Sequence, residues 1–304
     1  MVKLNEQKCE QVGLVLSSLK APLVVEVKSE ANESELLKSL LVMSICHNIN
    51  HDKHLRAWGR FIETHPDKFN AEYLQNLSSK EYGSWFEGLD EDRVRAEERT
   101  AFVRDICEKL VSNYSGSVKR LVDESFCKLG GPSGLLNRLD LFDAYSEDPV
   151  RKKSAAFLSD LMNQGMAQFD DLENAPPAVD YHVVRMFTRL GVVDVGDLLA
   201  KMKGKEVFTL EEDTSVRVAV SGAAKLMSTF SNLKIPQQSF ILWQIGRSCC
   251  ARFKVCCSSC VSEKCTFTKQ TPNSCKNKCL FSDICDNKEE GLSIREPMIR
   301  TTYY

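Results

Sequence analysis

No apolar run in this 304-residue chain approaches the roughly 20 residues of a membrane-spanning helix. Excess positive charge is lacking too. The 40 Lys and Arg stand against 42 Asp and Glu, a formal net charge of −2. A chain-wide polycation is excluded, and any nucleic-acid surface must be a local patch. The opening MVKLNEQKCEQVGLVLSS holds Glu6 and Glu10 and no clear cleavage site. It reads as an ordinary helix rather than a signal peptide. No repeat recurs at a fixed period. The expectation is a soluble, cytoplasmic protein, monomeric and without a membrane partner, large enough for a substantial core.

Helical periodicity fills most of what is there. Residues 5–19, 34–46, 52–63, 96–113, 117–128, 150–163, 179–190, 196–202, 214–230 and 237–247 carry apolar residues at helical spacing. LKAPLVVEVKSE, at 19–30, has strand character and is a candidate partner for EVFTLEE at 206–212. The fold class expected is mainly α. GGPSG at 130–134 and NAPP at 174–177 are stops.

The chain is rich in cysteine, with 13 residues. Cys9, Cys46, Cys107 and Cys127 are scattered among apolar helices, where a small buried hydrophobe is the ordinary role. The other nine crowd between Cys249 and Cys285. Disulfides of a secreted protein would spread through the fold, whereas a dense terminal cluster points to a soft metal. Cys250-x6-Cys257-x2-Cys260-x4-Cys265 offers four thiolates at short spacings, suited to Zn²⁺ or an iron–sulfur cluster. Cys275-x3-Cys279-x5-Cys285 follows and offers a second site. Cys249 and Cys256 each adjoin a proposed ligand, so the register is open by one residue.

IGRSCCARFKVCCSSC resembles the C-terminal loop of endonuclease III-type DNA glycosylases, the helix-hairpin-helix superfamily. In that family Gly-Arg precedes Cys-x6-Cys-x2-Cys-x5-Cys, which binds a [4Fe–4S] cluster. Gly246, Arg247, Cys250, Cys257 and Cys260 match. Cys265 comes one residue early, and the x5 spacing recurs instead before Cys285. The fourth ligand is therefore either Cys265 or Cys285.

A second tract carries the resemblance. PPAVDYHVVRMFTRLG, at 176–191, places Val179-Asp180-Tyr181-His182 where the family has Val-Asp-Thr-His with its catalytic Asp. Breaking an N-glycosidic bond builds positive charge on the sugar, and a carboxylate beside it stabilises that charge. A helix N-terminus keeps such a carboxylate ionised. A plain N-cap uses the same geometry. Upstream, Glu147 to Ala156 resembles the family's hairpin, with Lys153-Ser154-Ala155 echoing the Lys-Thr-Ala whose lysine attacks the sugar in lyase members. Pro149 and Arg151 stand where the hairpin has glycines.

The resemblance implies two helical lobes with the site between them: 31–145 as one lobe, 146–246 as the other with 1–30 packed on it, 247–286 as the iron–sulfur loop and 287–304 as a tail. It implies an N-glycosylase, a hydrolase of base-excision-repair type, with a damaged or modified base in nucleic acid or a modified nucleoside or nucleotide as substrate. Asp180 is the expected catalytic carboxylate, with Lys153 as candidate nucleophile. Arg151, Lys152, His182 and Arg185 are candidate substrate or phosphate contacts. His47, on one helical face with His51 and His54, and Trp58 are candidates for the base pocket. The rival reading keeps the scaffold and the iron–sulfur centre but only binds nucleic acid or a protein.

Overall fold

In a computed structural model, the described residues are 1–19, 31–48, 51–86, 94–260, 265, 267–268, 275, 277–288 and 290–304, the side chains of His51 and Asp52 excepted. The strand expected at 19–30 and the His51 side chain lie outside them. The fold is mainly helical. In chain order the helices are α1 (Glu6–Ser17), α2 (Glu33–Ser44), α3 (His51–Thr64), α4 (Ala71–Leu74), α5 (Ser79–Ser84), α6 (Ala96–Tyr114), α7 (Val118–Asp123), α8 (Leu135–Leu139), α9 (Asp143–Ser146), α10 (Lys152–Asn163), α11 (Tyr181–Leu190), α12 (Leu198–Gly204), α13 (Leu210–Ser231) and α14 (Ile235–Arg247). Among the described residues, no helix is long and apolar enough to cross a membrane.

The chain divides into two compact units: Met1–Leu23 with Pro176–Arg300, and Val24–Ala175 with Thr301–Tyr304. The boundary falls at 175/176 rather than at 145/146, because α10 packs on α2.

In the first unit, α1 lies against α13. Asn5 caps α1 through the Lys8 N–H, and Thr209 with Glu212 closes a capping box on α13. Such caps satisfy N–H groups that a helix start leaves open. Lys3–Leu4 pairs antiparallel with Val193–Asp194. Val207 bridges Met298, so the extended part of EVFTLEE finds its partner near the C-terminus. The stretch 287–304 is no loose tail: Ile294, Glu296, Thr301 and Tyr304 are buried.

In the second unit, α6 packs against α4 and α5. Trp58 is fully buried and meets Phe61, Phe69, Tyr82 and Trp85, with ring centroids 5.1–6.5 Å away. Its indole is core, with no face left for a base. All thirteen cysteines carry free thiols; Cys9 and Cys107 are buried as expected, while Cys127 is exposed.

Candidate active site and cysteine centre

Asp180 follows Pro176-Pro177 and is the N-cap of α11, in extended backbone. Its Oδ1 accepts the N–H of His182 (2.9 Å) and of Val183 (3.0 Å). Among the described residues, nothing hydrogen-bonds its Oδ2. The side chain is buried, 6% exposed, and its cap uses only one of the two carboxylate oxygens. Val179, one residue earlier, is pinned by its carbonyl to the Arg217 guanidinium at 3.1 Å. His182 accepts at Nδ1 from Arg185 (3.1 Å), and burial pushes its pKa down, so it stands as a neutral ring protonated at Nε2.

Arg185 is not a substrate contact. It is fully buried, one turn along α11, and donates to the Cys250 carbonyl (3.2 and 3.1 Å), the Gly246 carbonyl (2.7 Å) and Glu296 Oε2 (2.8 Å). Burial pushes the Glu296 carboxyl up, but Arg185 and Arg252 beside it hold it below its usual range. Arg189, one further turn along, is buried too. It donates to Ile294 O (3.0 and 2.8 Å), Ala251 O (2.9 Å), Cys250 O (3.3 Å) and Cys250 Sγ (3.5 Å). Among the described residues it forms no ion pair, although the Glu296 carboxylate is a favourable charge nearby.

The i, i+4 spacing puts both guanidiniums on one face of α11. That face is bolted to the start of the cysteine segment. Gly246 completes the joint, since a Cβ there would sit 3.0 Å from the His182 carbonyl. At the other end, Gly191 closes α11 with φ +77, and a Cβ would run into the Asp286 carboxylate.

The cysteines form a hairpin. Cys250 bridges Val255 antiparallel, and the Cys256 N–H donates to the Cys249 carbonyl at 2.9 Å. Neighbouring residues of an extended chain point to opposite faces. Cys249 and Cys256 therefore share one face, and Cys250 and Cys257 the other. The surroundings agree. The Cys285 thiol hydrogen-bonds Cys257, which brings the Cys257 pKa down to about 6, and Cys285 also feels Cys250. Cys279 feels Cys250 and Cys257, along with Cys249. On the other face Cys256 hydrogen-bonds Cys260, and Cys249 feels Cys265, Cys256 and Cys275. As they stand, no three His, Cys, Asp or Glu among the described residues converge tightly enough to hold an ion.

Cys260 and Cys265 thus neighbour Cys256 and Cys249, and Cys285 neighbours Cys257 and Cys250, while Cys279 has Cys250, Cys249 and Cys257 about it. Cys275 separates from the other two members of the trio proposed as a second site. The doublets at 249–250 and 256–257 held the signal, because their seven-residue separation matches a tight hairpin.

The other candidates lie in the second unit. Lys153 is 1% exposed, with Nζ 4.6 Å from the centre of the Phe102 ring. Burial lowers its pKa to about 8, and the Cys46 thiol and the Lys152 ammonium are among its neighbours. Lys152 Nζ donates to Cys46 Sγ at 3.1 Å, and Arg151 pairs with Asp140 at 2.5 Å. Neither cation is a free phosphate contact.

His47 lies near Lys153. It is fully buried, edge-on to Phe102, and its Nε2 donates to Glu98 at 2.7 Å. Burial pushes its pKa down to about 3, with Lys153 and Arg99 opposing a further cation. Its Nδ1 is buried and, among the described residues, has no acceptor for a second proton. The folded state thus refuses a proton that the unfolded chain takes up near 6.5. Stability is expected to fall as pH drops below about 6.5, by at most about 1.4 kcal/mol per pH unit from this group. Thermal unfolding across that range should show a flatter profile for His47→Gln; an unchanged slope would contradict a neutral His47.

The turn before α10 holds Arg151 at φ +55, where it caps the helix in the left-handed region. A left-handed backbone at a non-glycine residue costs roughly 1 kcal/mol. The buried Asp148 carboxylate accepts from the N–H of Val150 (3.2 Å) and of Lys152 (2.8 Å), so two amides at the start of α10 are satisfied within the chain.

No protein-family model matches the chain, and no curated protein matches its sequence.

Proposed function

We propose that the chain is an N-glycosylase of helix-hairpin-helix type, hydrolysing the bond between a modified base and its sugar. The observation that carries this is Asp180: a carboxylate fixed at a helix start through one oxygen, with the second unbonded among the described residues. In the proposed reaction the C1′–N bond breaks, its electron pair leaves with the base, and the base is protonated. Water adds to C1′ and yields its proton. The Asp180 carboxylate faces the cationic sugar and orients the water.

Cys250, Cys257, Cys279 and Cys285 fit a [4Fe–4S] cluster. The donors are all soft, Cys250 Sγ lies 3.5 Å from the buried Arg189 guanidinium, and among the described residues that guanidinium makes no ion pair, the Glu296 carboxylate acting on it without contact. An anionic thiolate centre would offset its charge, and an N–H donor to a ligand sulfur is a familiar feature of such sites. When bound, the cluster would supply a compact anionic cross-link rather than a reacting group.

In the family that the sequence resembles, amides at this turn face a phosphate; here Asp148 accepts those of Val150 and Lys152, which favours a free nucleoside, nucleotide or unpaired strand over a duplex gripped through its backbone. Asp148→Asn removes a like charge and should strengthen binding of a duplex oligonucleotide about fivefold. Fluorescence anisotropy at fixed salt measures this, and a weaker complex would show that Asp148 aids the grip. The function itself is tested by incubating the protein with modified nucleosides, nucleotides, and single- and double-stranded oligonucleotides. Free base is then sought by mass spectrometry. Catalytic release from one class supports the reading; binding without release from any of them favours the non-catalytic rival.

A further inference from the structure

We propose that the cysteine segment carries a second, separate centre: a structural zinc held by Cys249 and Cys256 with two thiols drawn from Cys260, Cys265 and Cys275. Hairpin geometry comes first. One ion cannot readily use both members of a Cys-Cys doublet when the two side chains leave opposite faces of an extended strand. Two doublets in register, with the Cys256 N–H on the Cys249 carbonyl, therefore define two thiol pairs on two faces.

Arithmetic comes next. A tetrahedral or cubane centre takes four thiolates. Nine cysteines lie in the segment, and Cys250, Cys257, Cys279 and Cys285 account for one face. The five that remain are those gathered around Cys249 and Cys256: Cys256 hydrogen-bonds Cys260, and Cys249 has Cys265 and Cys275 as electrostatic neighbours.

The chain path also isolates the second set. The Cys279 N–H donates to the Cys256 carbonyl, and the Cys260 N–H to the Asn277 carbonyl, both at 2.6 Å. These bonds close the excursion between 260 and 277 at its base. They return the chain so that Cys279 stands beside Cys256 and Cys257. The excursion carries Cys260, Cys265 and Cys275, and its only other apolar residues are Val261 and Phe267. A stretch with so few apolar residues is a usual setting for a structural metal.

The spacings Cys256-x3-Cys260 and Cys260-x4-Cys265 lie within the two to four residues typical of structural zinc. The sulfurs already have donors nearby: the Thr268 N–H reaches Cys265 Sγ at 3.4 Å, and the Ser248 hydroxyl reaches Cys249 Sγ at 3.7 Å. Outer contacts of that kind orient ligands.

The second centre stands whether or not the first holds iron. The test uses the full chain, purified without oxygen from medium containing both iron and zinc. Zinc and iron per chain are measured beside the visible spectrum. Wild type is expected to hold about one zinc. Two variants should each lose it and keep the wild-type iron content and absorption: Cys249→Ser/Cys256→Ser, and Cys260→Ser/Cys265→Ser/Cys275→Ser. The second variant changes only half-exposed side chains, so it carries the test if the first does not fold. Cobalt loaded in place of zinc should give the intense visible bands of a tetrahedral thiolate site, absent from the same variants. Wild type without zinc, or zinc retained in the triple variant, would overturn the proposal. Zinc lost in the triple variant from a protein that never held iron would support this centre while removing the iron–sulfur reading.

Discussion

Asp180→Asn is expected to lower base release by at least about a thousandfold while leaving the fold intact. The asymmetry follows from the two oxygens. Oδ1 receives the N–H groups of His182 and Val183, and an asparagine oxygen accepts the same pair. Asn and Asp are near-equal N-caps, and losing the charge at a helix start costs about 0.3–1 kcal/mol. The developing sugar cation, however, loses its counter-charge. A thousandfold is about 4 kcal/mol of barrier, the size expected for removing one main electrostatic stabiliser. Single-turnover base release and thermal unfolding on the same preparations separate the outcomes. Lost turnover with unchanged melting is predicted. Unfolding would make Asp180 a structural cap, and unchanged turnover would exclude it from the chemistry.

Arg185→Leu is expected to destabilise its unit by about 3–5 kcal/mol, because it strands the buried Glu296 carboxylate and the Gly246 and Cys250 carbonyls. Arg252 also pairs with Glu296 and will soften the loss. The double change Arg185→Leu/Glu296→Leu should cost less than the sum of the single changes, since it removes both charges together. Denaturant unfolding measures the cycle. A single-variant effect below about 1 kcal/mol would show that Arg185 is solvated, and that α11 is not held to the cysteine segment through it.

The long helices and their starts were readable because apolar spacing and capping residues are local. Asp180 at the start of α11 and Thr209 at the start of α13 are cases of this. What sequence could not show was long-range and often involved backbone acceptors. Arg185 looked like a substrate cation, but it and Arg189 are buried against the carbonyls of Gly246, Cys250, Ala251 and Ile294. No pattern in 287–304 announces a segment whose carbonyls receive those guanidiniums. The same holds for Thr301, whose carbonyl accepts from Asn48 and Arg95. Trp58 sat on a helix with a strong polar face, and only tertiary packing shows the ring enclosed.

The turn before α10 was legible only in part. Arg151 takes a left-handed backbone that nothing in its side chain announces, and the Asp148 carboxylate accepts the amides of Val150 and Lys152. The cysteine partition lay within reach of sequence. Applied to the doublets, the two-residue period of an extended chain separates 249 from 250 and 256 from 257, while spacing to single cysteines runs the two sets together.

The measurement that tests the account most directly is iron and sulfide content, with the visible spectrum, for anaerobically purified wild type, Cys285→Ser and Cys260→Ser. An Asp180 helix braced against an iron–sulfur centre at Cys250, Cys257, Cys279 and Cys285 predicts about four iron and four sulfide per chain in wild type. Broad brown absorption should accompany them, survive in Cys260→Ser and be lost or strongly reduced in Cys285→Ser. Iron that disappears with Cys260 and persists without Cys285, or a colourless wild type, would contradict it.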